Sequence, residues 1–431
     1  MNALTAARVQ MEFSLAFHII FAALGIGMPL LMLIAEGLHL RTGKPHYREL
    51  AKKWGKVTAL LFVVGAVSGT ALSFELGLLW PRFMAFAGPV IGPAFALEGY
   101  AFLIEAIFVG LYLYGWDRMS PRAHFLCGVP VALSGMLSGV LVVGANAWMQ
   151  SPRGYVASAG RVVDVDMFAT FKNPSWLPLA VHSTLSCYIA VGFAVAGIYA
   201  AAMLRGRRDD YHRAGLVIAI AVGAVSAVLQ PLSGHKVAEM VGHTQPEKLA
   251  AMEAHFHTQS GAPALLGGIP DVHTGEVHYG LHIPKMLSVL ATGDPNGIVR
   301  GLEEFPLDER PNVMLCHICF QVMVGCGMAL IGLGGLFFLM WRRRRGEVPG
   351  WLLRLVALGG PLGFLALEAG WFVTEAGRQP WIIYRVMRTR DAVTTRSDVG
   401  VTLIVYVILY LFLAVALISL LRSLASQKEH A

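Results

Sequence analysis

Four side chains that haem iron accepts as ligands stand in or at the ends of apolar stretches of the sequence. They are His18, His182, Met323 and Glu375. An imidazole with a thioether gives a low-spin, electron-transferring haem, so His182 and Met323 would suit that pair if their helices face each other. Taken singly, such a histidine often only hydrogen-bonds a neighbour, such a methionine packs, and such a glutamate is interfacial. Their shared depth, derived below, favours a cofactor site because ionisable groups inside a membrane are costly.

A second polar set suits proton movement. Glu98 and Glu105 in "LEGYAFLIEAIF" are seven residues apart and therefore lie on one face of a helix. Ser138 and Asn146 follow in the next apolar stretch. A carboxyl in a low-dielectric interior resists ionisation and can pass protons. The alternative for Ser138 and Asn146 is structural hydrogen bonding between the two helices.

The elements that position these residues are membrane-spanning helices. Of 431 residues, 56% are apolar and only 14% charged, whereas a soluble domain carries about 25% charged residues. Apolar runs of about 20 residues span a bilayer. The sequence predicts an all-α integral membrane protein with nine such runs, at roughly 12–36, 54–79, 94–116, 124–148, 178–204, 212–233, 313–341, 351–373 and 400–422.

The distribution of basic residues predicts the orientation. Lysines and arginines cluster between the first and second runs, between the fifth and sixth, and after the seventh, where Arg342 to Arg345 are consecutive. Cytoplasmic loops carry this excess. The N-terminus is therefore expected outside and the C-terminus in the cytoplasm. The Arg342–Arg345 run is interpreted as a topology anchor, so no nucleic-acid partner is expected. All four candidate iron ligands then fall in the outer half of the membrane.

The chain is expected to form one transmembrane domain, 1–431, with one outer insertion at 234–312. The insertion has ten acidic and five basic residues and is rich in glycine and proline. We expect loop structure with short helices there, and loops of this length are more often functional than idle. A short loop at 374–399 carries five arginines, contrary to the topology rule.

Several motifs in order along the chain identify a family. "EAGWFVTEAGRQPW" closely resembles the signature of subunit I of the cytochrome bd quinol oxidases. The similarity continues in "FSLAFHIIF", "ALEGYAFLIEAIFVGLYLYGWDR", "ANAWMQ", "VHSTLSCYIA", "KLAAMEAHFHTQ" and "FQVMVGCG".

The resemblance implies a terminal oxidase that oxidises quinol at the outer face and reduces dioxygen to water with cytoplasmic protons, without pumping. It implies three haems: a low-spin haem b held by His182 and Met323, and two high-spin haems, one b and one d or b, held by His18 and Glu375. The insertion corresponds to the quinol-binding loop. Within it, Lys248 could hold a ring oxygen, and Glu253 is the candidate general base.

Further roles and partners follow from the same resemblance. Glu98, Glu105, Ser138 and Asn146 match proton-supply positions and nearby haem contacts. Arg378 could neutralise Glu375 or a haem propionate, and Trp371 could lie between haem planes or pack in the core. Outward-facing propionates would account for the five arginines of 374–399. A second subunit, a possible one-span accessory peptide, ubiquinol or menaquinol, dioxygen and a location in the bacterial inner membrane are also implied.

One departure concerns Gln321 in "FQVM", where better-known members have arginine. Loss of that cation should change the potential of the low-spin haem and remove a propionate partner. With the short insertion, this departure resembles the cyanide-insensitive branch. Two functions from other classes compete with the oxidase: a proton-coupled transporter that uses Glu98 and Glu105 as a relay, and a haem electron-transfer subunit without oxygen chemistry.

Overall fold

The computed structural model describes residues 2–396 and 398–426, and long helices dominate this part of the chain. Nine helical spans of membrane-crossing length and composition lie within it, which confirms the predicted fold class. Eight are single helices, α1 (Ala3–Thr42), α2 (Pro45–Leu79), α3 (Pro81–Tyr114), α4 (Pro121–Gln150), α6 (Trp176–Leu204), α7 (Asp210–Thr244), α10 (Val313–Arg343) and α14 (Val399–Ser426).

The remaining span is broken. It consists of α11 (Gly350–Gly359) and α12 (Leu362–Ala376), where a single run was predicted at 351–373. Pro361 follows the break, and proline has no N–H to continue a helix. The third span was predicted to reach 116, but α3 ends at Tyr114.

Most helices are longer than the predicted apolar runs. Helix α7 continues past the predicted end at 233 to Thr244, so the first part of the 234–312 segment is helix rather than loop. This extension is polar and packs on the short helices α8 (Pro246–Met252) and α9 (Met286–Thr292). Hydropathy marks only the apolar part of a helix, which explains the difference.

The spans form two four-membered bundles. In the first, α1, α2, α3 and α4 each pack on the next and α4 returns to α1. In the second, α6 packs on α7, α7 on α10, α10 on α12, and α12 on α6. This order places α6 diagonally opposite α10. The bundles meet mainly where α1 and α4 pack on α6, and α14 packs on α1 and α2.

The loop at 245–312 contains the expected short helices, α8 and α9, and in addition small antiparallel sheets. Its strands pair in a nested order, β3 with β8, β4 with β7 and β5 with β6. Two more short helices, α5 and α13, two 3₁₀ turns and two further hairpins complete the described structure. The strands are β1 (Tyr155–Ser158), β2 (Arg161–Val165), β3 (Gln259–Ser260), β4 (Ala264–Leu266), β5 (Ile269–Asp271), β6 (Glu276–His278), β7 (Leu281–Ile283), β8 (Ile298–Val299), β9 (Trp381–Ile383) and β10 (Met387–Arg388), with α5 at Met167–Phe171, α13 at Thr389–Ala392 and 3₁₀ turns at Leu302–Glu304 and Leu307–Glu309.

We call the end of the bundles that carries residues 245–312 the loop end. Helix α8 is buried there against the ends of α4 and α12: Gln245 Nε2 donates to the Gln150 carbonyl at 2.8 Å, and Lys248 Nζ to the Thr374 carbonyl at 3.1 Å. The loop end therefore covers the termini of the helices that carry the candidate ligands.

Candidate haem and quinol sites

His18 lies in α1 with its ring against α2. Its Nδ1 is 2.9 Å from Ser68 Oγ, and Ser68 Oγ donates to the Gly65 carbonyl at 3.1 Å. The serine hydrogen is thus used, so Nδ1–H donates to the serine and Nε2 carries the free lone pair. A Cβ at the next residue, Gly69, would lie 2.9 Å from the ring Cε1. Glycine makes room for this ring, and serine fixes the nitrogen that could ligate iron.

His182 repeats this arrangement between α6 and α7. Its Nδ1 is 2.8 Å from Ser233 Oγ, and a Cβ at Gly234 would lie 3.5 Å from Cε1. A second polar group is present here, because Gln230 Nε2 lies 3.2 Å from His182 Nε2. Binding of iron by Nε2 would therefore displace the Gln230 amide.

Met323 projects from α10 towards α12. Its Sδ lies 3.0 Å from where a Cβ at Gly370 would be. Because α6 and α10 are diagonal in the second bundle, His182 and Met323 belong to opposite walls of it. This is the placement that a His/Met pair on one haem needs.

Glu375 occupies the last turn of α12, between helices of both bundles. Asn146 Nδ2 of α4 donates a very short hydrogen bond to Oε1, and Arg378 donates to Oε2 at 2.5 Å. The predicted residues Asn146, Arg378 and Glu375 therefore form one cluster. Both carboxylate oxygens already accept a hydrogen bond, so iron would bind through a remaining lone pair.

The donor set and its surroundings fit haem. The side chains of His18, His182, Met323 and Glu375 are each only partly buried, and three of them lie against a glycine. Arg378 Nη1 and Trp381 Nε1 are buried without a hydrogen-bond partner among the described residues. Such donors suit an anionic group such as a propionate.

The outward-facing propionates expected beside the arginines of 374–399 stay a prediction, and the protein itself supplies anionic partners as well. Each of the five arginines has a carboxylate within 4 Å. The pairs are Arg378–Glu375, Arg385–Glu247, Arg388–Asp308, Arg390–Asp391 and Arg396–Asp398.

The proton-supply candidates lie along the α3–α4 interface. Ser138 Oγ donates to Glu98 Oε1 at 3.0 Å, which is the interhelical hydrogen bonding given as the alternative. Glu105 is 4% exposed, and its two oxygens lie 3.4 Å from where a Cβ at Gly135 would be. Helices α3 and α4 thus bury the Glu105 carboxyl in the first bundle. The partly exposed Glu98 carboxyl is hydrogen-bonded to Ser138.

Trp371 borders a space between α1 and α12. The space is also lined by Glu12, Glu368 and Phe372. Glu368 Oε1 is buried without a hydrogen-bond partner among the described residues. Trp371 therefore faces a partly polar space rather than a purely apolar core.

Lys248 is 4% exposed in α8, and its Nζ is occupied by protein groups. It donates to Gln150 Oε1 at 3.3 Å as well as to the Thr374 carbonyl, next to Glu375. Burial, then the Arg378 cation, lowers the pKa of Lys248 to about 8. Lys248 thus anchors the loop over α12, and a quinol oxygen could reach only its third hydrogen.

Glu253 follows α8 and is 5% exposed. The Leu265 N–H acts as a hydrogen-bond donor to its carboxyl, and Oε2 has no partner among the described residues. Burial raises the pKa of Glu253 to about 7 despite that donor. A carboxyl with this pKa can accept and release protons near neutrality.

The sequence analysis did not identify the side chains that orient the candidate site residues. These are Ser68 and Ser233 beside the two histidines, Gln150 beside Lys248, and His317 and Gln230 in the second bundle. The available signal was the dipeptide Ser-Gly, which occurs at 68–69 and again at 233–234 in the helix that follows each histidine.

Comparisons with known proteins agree with this arrangement. A family model described as cytochrome bd terminal oxidase subunit I matches residues 6–429. A Bacillus subtilis protein named as a cytochrome bd menaquinol oxidase subunit I is 38% identical over 98% of this chain and 96% of its own. Another from Bacillus subtilis, a cytochrome bd ubiquinol oxidase subunit 1, is 31% identical over 100% and 95%.

A solved structure supports the same fold. The bd oxidase from Geobacillus thermodenitrificans superposes with a TM-score of 0.93 at 36% identity, covering 98% of both chains. Nine apolar helical spans in the described residues and these relatives make the chain a multi-pass protein of the bacterial inner membrane. The chain belongs to the cytochrome bd terminal oxidase subunit I family.

Proposed function

We propose that this chain is the haem-carrying subunit of a quinol:oxygen oxidoreductase that oxidises quinol at the loop end and reduces dioxygen to water. Two quinols would give four electrons and four protons, and dioxygen would take four electrons and four cytoplasmic protons to form two waters. The observation that carries the proposal is the serine- and glycine-backed placement of His18 and His182 in two adjoining bundles.

The residues would form three haem sites. His182 and Met323 would hold a low-spin haem b within the second bundle, and His18 and Glu375 would each hold one high-spin haem, one b and the other b or d. The haems would supply electron transfer and the site of oxygen reduction. Arg378 balances the charge of Glu375, and Asn146 fixes its orientation.

Protons would move at two places. At the loop end, Glu253 would take a quinol proton on Oε2, which has no hydrogen-bond partner in the described part of the chain. At the α3–α4 interface, Glu105 and Glu98 would hand on protons that enter from the opposite, basic end, with Ser138 as a hydrogen-bond partner of Glu98. With the N-terminus and loop end outside, electrons and protons come from opposite faces, and charge separates without pumping.

The proposed complex has a second subunit, and the family resemblance allows a one-span accessory peptide beside it. The names of the relatives include both menaquinol and ubiquinol oxidases, so the quinol is either of these.

The test is a visible spectrum of the purified complex together with quinol-dependent oxygen uptake. We expect reduced haem bands and uptake that requires quinol. A colourless complex would favour the proton-coupled transporter, and haem without oxygen uptake would favour the electron-transfer subunit. Pigment extraction then identifies the third haem as d or b.

A further inference from the structure

Side chains of helix α10 form hydrogen bonds with the turn that joins β4 to β5. The Gln321 side chain accepts from the Gly267 N–H at 2.8 Å and donates to the Leu265 carbonyl at 2.9 Å. One turn earlier, His317 Nε2 is 3.1 Å from the Gly267 carbonyl. Two side chains of α10 thus bind three backbone groups of one turn.

The backbone of this turn requires such partners. Leu265 is on an outer edge of the two-stranded β4–β7 pair, where strand groups without a neighbouring strand must be satisfied otherwise. Gly267 and Gly268 have φ of +69° and +99°, which lets the chain turn back immediately. The turn is therefore a formed element that α10 caps, rather than a loose loop.

The same turn also contacts Glu253. The Leu265 N–H donates to the Glu253 carboxyl, while the Leu265 carbonyl accepts from Gln321. One residue therefore connects the proposed proton acceptor with α10. His317 Nδ1 adds a second link, because it is 2.8 Å from the carbonyl of Met252, the residue before Glu253.

We propose that Gln321 and His317 are positioning residues for quinol oxidation, which hold Glu253 at a fixed place relative to the helix of Met323 through Leu265, Gly267 and Met252. The inference rests on the proposed function. It gives Gln321 a role of its own: a guanidinium at this position has only donors, so it cannot accept from the Gly267 N–H as the amide does. Quinol loses electrons and protons, so the group that accepts the electrons and the group that accepts the protons must be placed together beside it.

The test compares Gln321→Ala with Ile318→Ala, a partly exposed residue on the same helix, in the purified complex. Amide hydrogen exchange at residues 264–268 measures how well the hydrogen bonds of the β4–β5 turn are protected. Oxygen uptake with quinol reports the full reaction, and uptake with a chemical dye that reduces the haems directly bypasses the quinol site. Haem spectra check assembly, and Gln321→Glu, which keeps the acceptor for Gly267 and loses the donor to Leu265, replaces Gln321→Ala if the latter does not assemble.

We expect faster exchange at Gly267 and a quinol-dependent rate about 10- to 100-fold lower in Gln321→Ala. Dye-dependent uptake and the haem spectrum should be unchanged, as should all readouts of Ile318→Ala. In a Glu253→Gln background, Gln321→Ala should lower the rate no further, because Gln321 acts through the Glu253 base.

Two results would overturn the inference. One is faster exchange at Gly267 with an unchanged quinol-dependent rate, which would make the contacts merely structural. The other is an equal fall of the dye-dependent rate, which would place the effect at the haem. A wild-type complex that fails to oxidise quinol would instead refute the proposed function.

Discussion

The α1–α2 and α6–α7 hairpins hold their histidines in the same way but differ in what surrounds the ring. In both, Nδ1 lies within hydrogen-bond distance of a serine hydroxyl of the second helix, and the residue after that serine is glycine. His18 fits more tightly, with 2.9 Å to the Gly69 Cβ position against 3.5 Å at Gly234. His182 has Gln230 at its other nitrogen and Met323 on the diagonal helix.

The comparison separates two properties of each site: the contacts that orient the histidine ring, and the spin state that a haem held there would have. A Ser-Gly pair on the neighbouring helix lies beside the ring in both bundles. A second ligand on the opposite wall distinguishes the proposed low-spin site from the proposed high-spin one. The two sites would therefore respond differently to the same kind of substitution.

Removing the ligands should have the largest effect. We expect His182→Ala to abolish the low-spin haem signal and leave the high-spin signals, and His18→Ala to remove one of the two high-spin signals and leave the low-spin signal, because each ring is the imidazole ligand of its own site. Reduced-minus-oxidised spectra of the purified variants measure this. If the low-spin signal survived in His182→Ala, the ligand assignment would be wrong.

Adding one methyl group should distinguish the two hairpins. Gly69→Ala places a Cβ 2.9 Å from the His18 ring and must displace it, whereas 3.5 Å at Gly234 is an ordinary contact. Overpacking of this kind costs about 1–3 kcal/mol. We expect Gly69→Ala to reduce the high-spin haem content and Gly234→Ala to leave the low-spin content intact. Equal losses in the two variants would contradict the difference in fit.

The quinol-dependent rate should depend on pH through the ionisation of Glu253. The base must be ionised, and burial raises its pKa to about 7, so its carboxylate fraction rises from ~10% to ~90% between about pH 6 and 8. The quinol-dependent rate should therefore rise about 10-fold over this range.

The control uses the dye that reduces the haems directly. Dye-dependent uptake should lack this rise, and Glu253→Gln should lower the quinol-dependent rate and remove its rise. Persistence of the rise in Glu253→Gln would assign the titration to another group.

Removing the serines should have the smallest effect. Ser68→Ala and Ser233→Ala each take away the hydroxyl that hydrogen-bonds a histidine Nδ1, and loss of such partners typically changes metal affinity ~10- to 100-fold. Haem retention during dilution should fall more in Ser68→Ala, because no other polar side chain is seen to bond the His18 ring in the described residues, while Gln230 remains beside His182. The opposite order would show that Gln230 does not support the ring.

The loop end shows where sequence reasoning was limited. Lys248 and Glu253 were singled out through the family resemblance, but their partners, Thr374 and Leu265, are distant in sequence. Gln321 was interpreted only as a missing cation, although its amide bonds the β4–β5 turn. Hydrogen bonds between distant segments leave no period in the sequence, so they could not be inferred from it.

By itself, the sequence determined the nine spans and the types of side chain available as ligands, since burial in a bilayer requires a long local run of apolar residues. The tertiary structure alone decided which groups meet. It brought Asn146 and Arg378 onto Glu375, placed a Ser-Gly pair beside each histidine, and paired the short strands of the 245–312 loop in a nested order. Such contacts depend on how helices rotate and cross, which local composition does not specify.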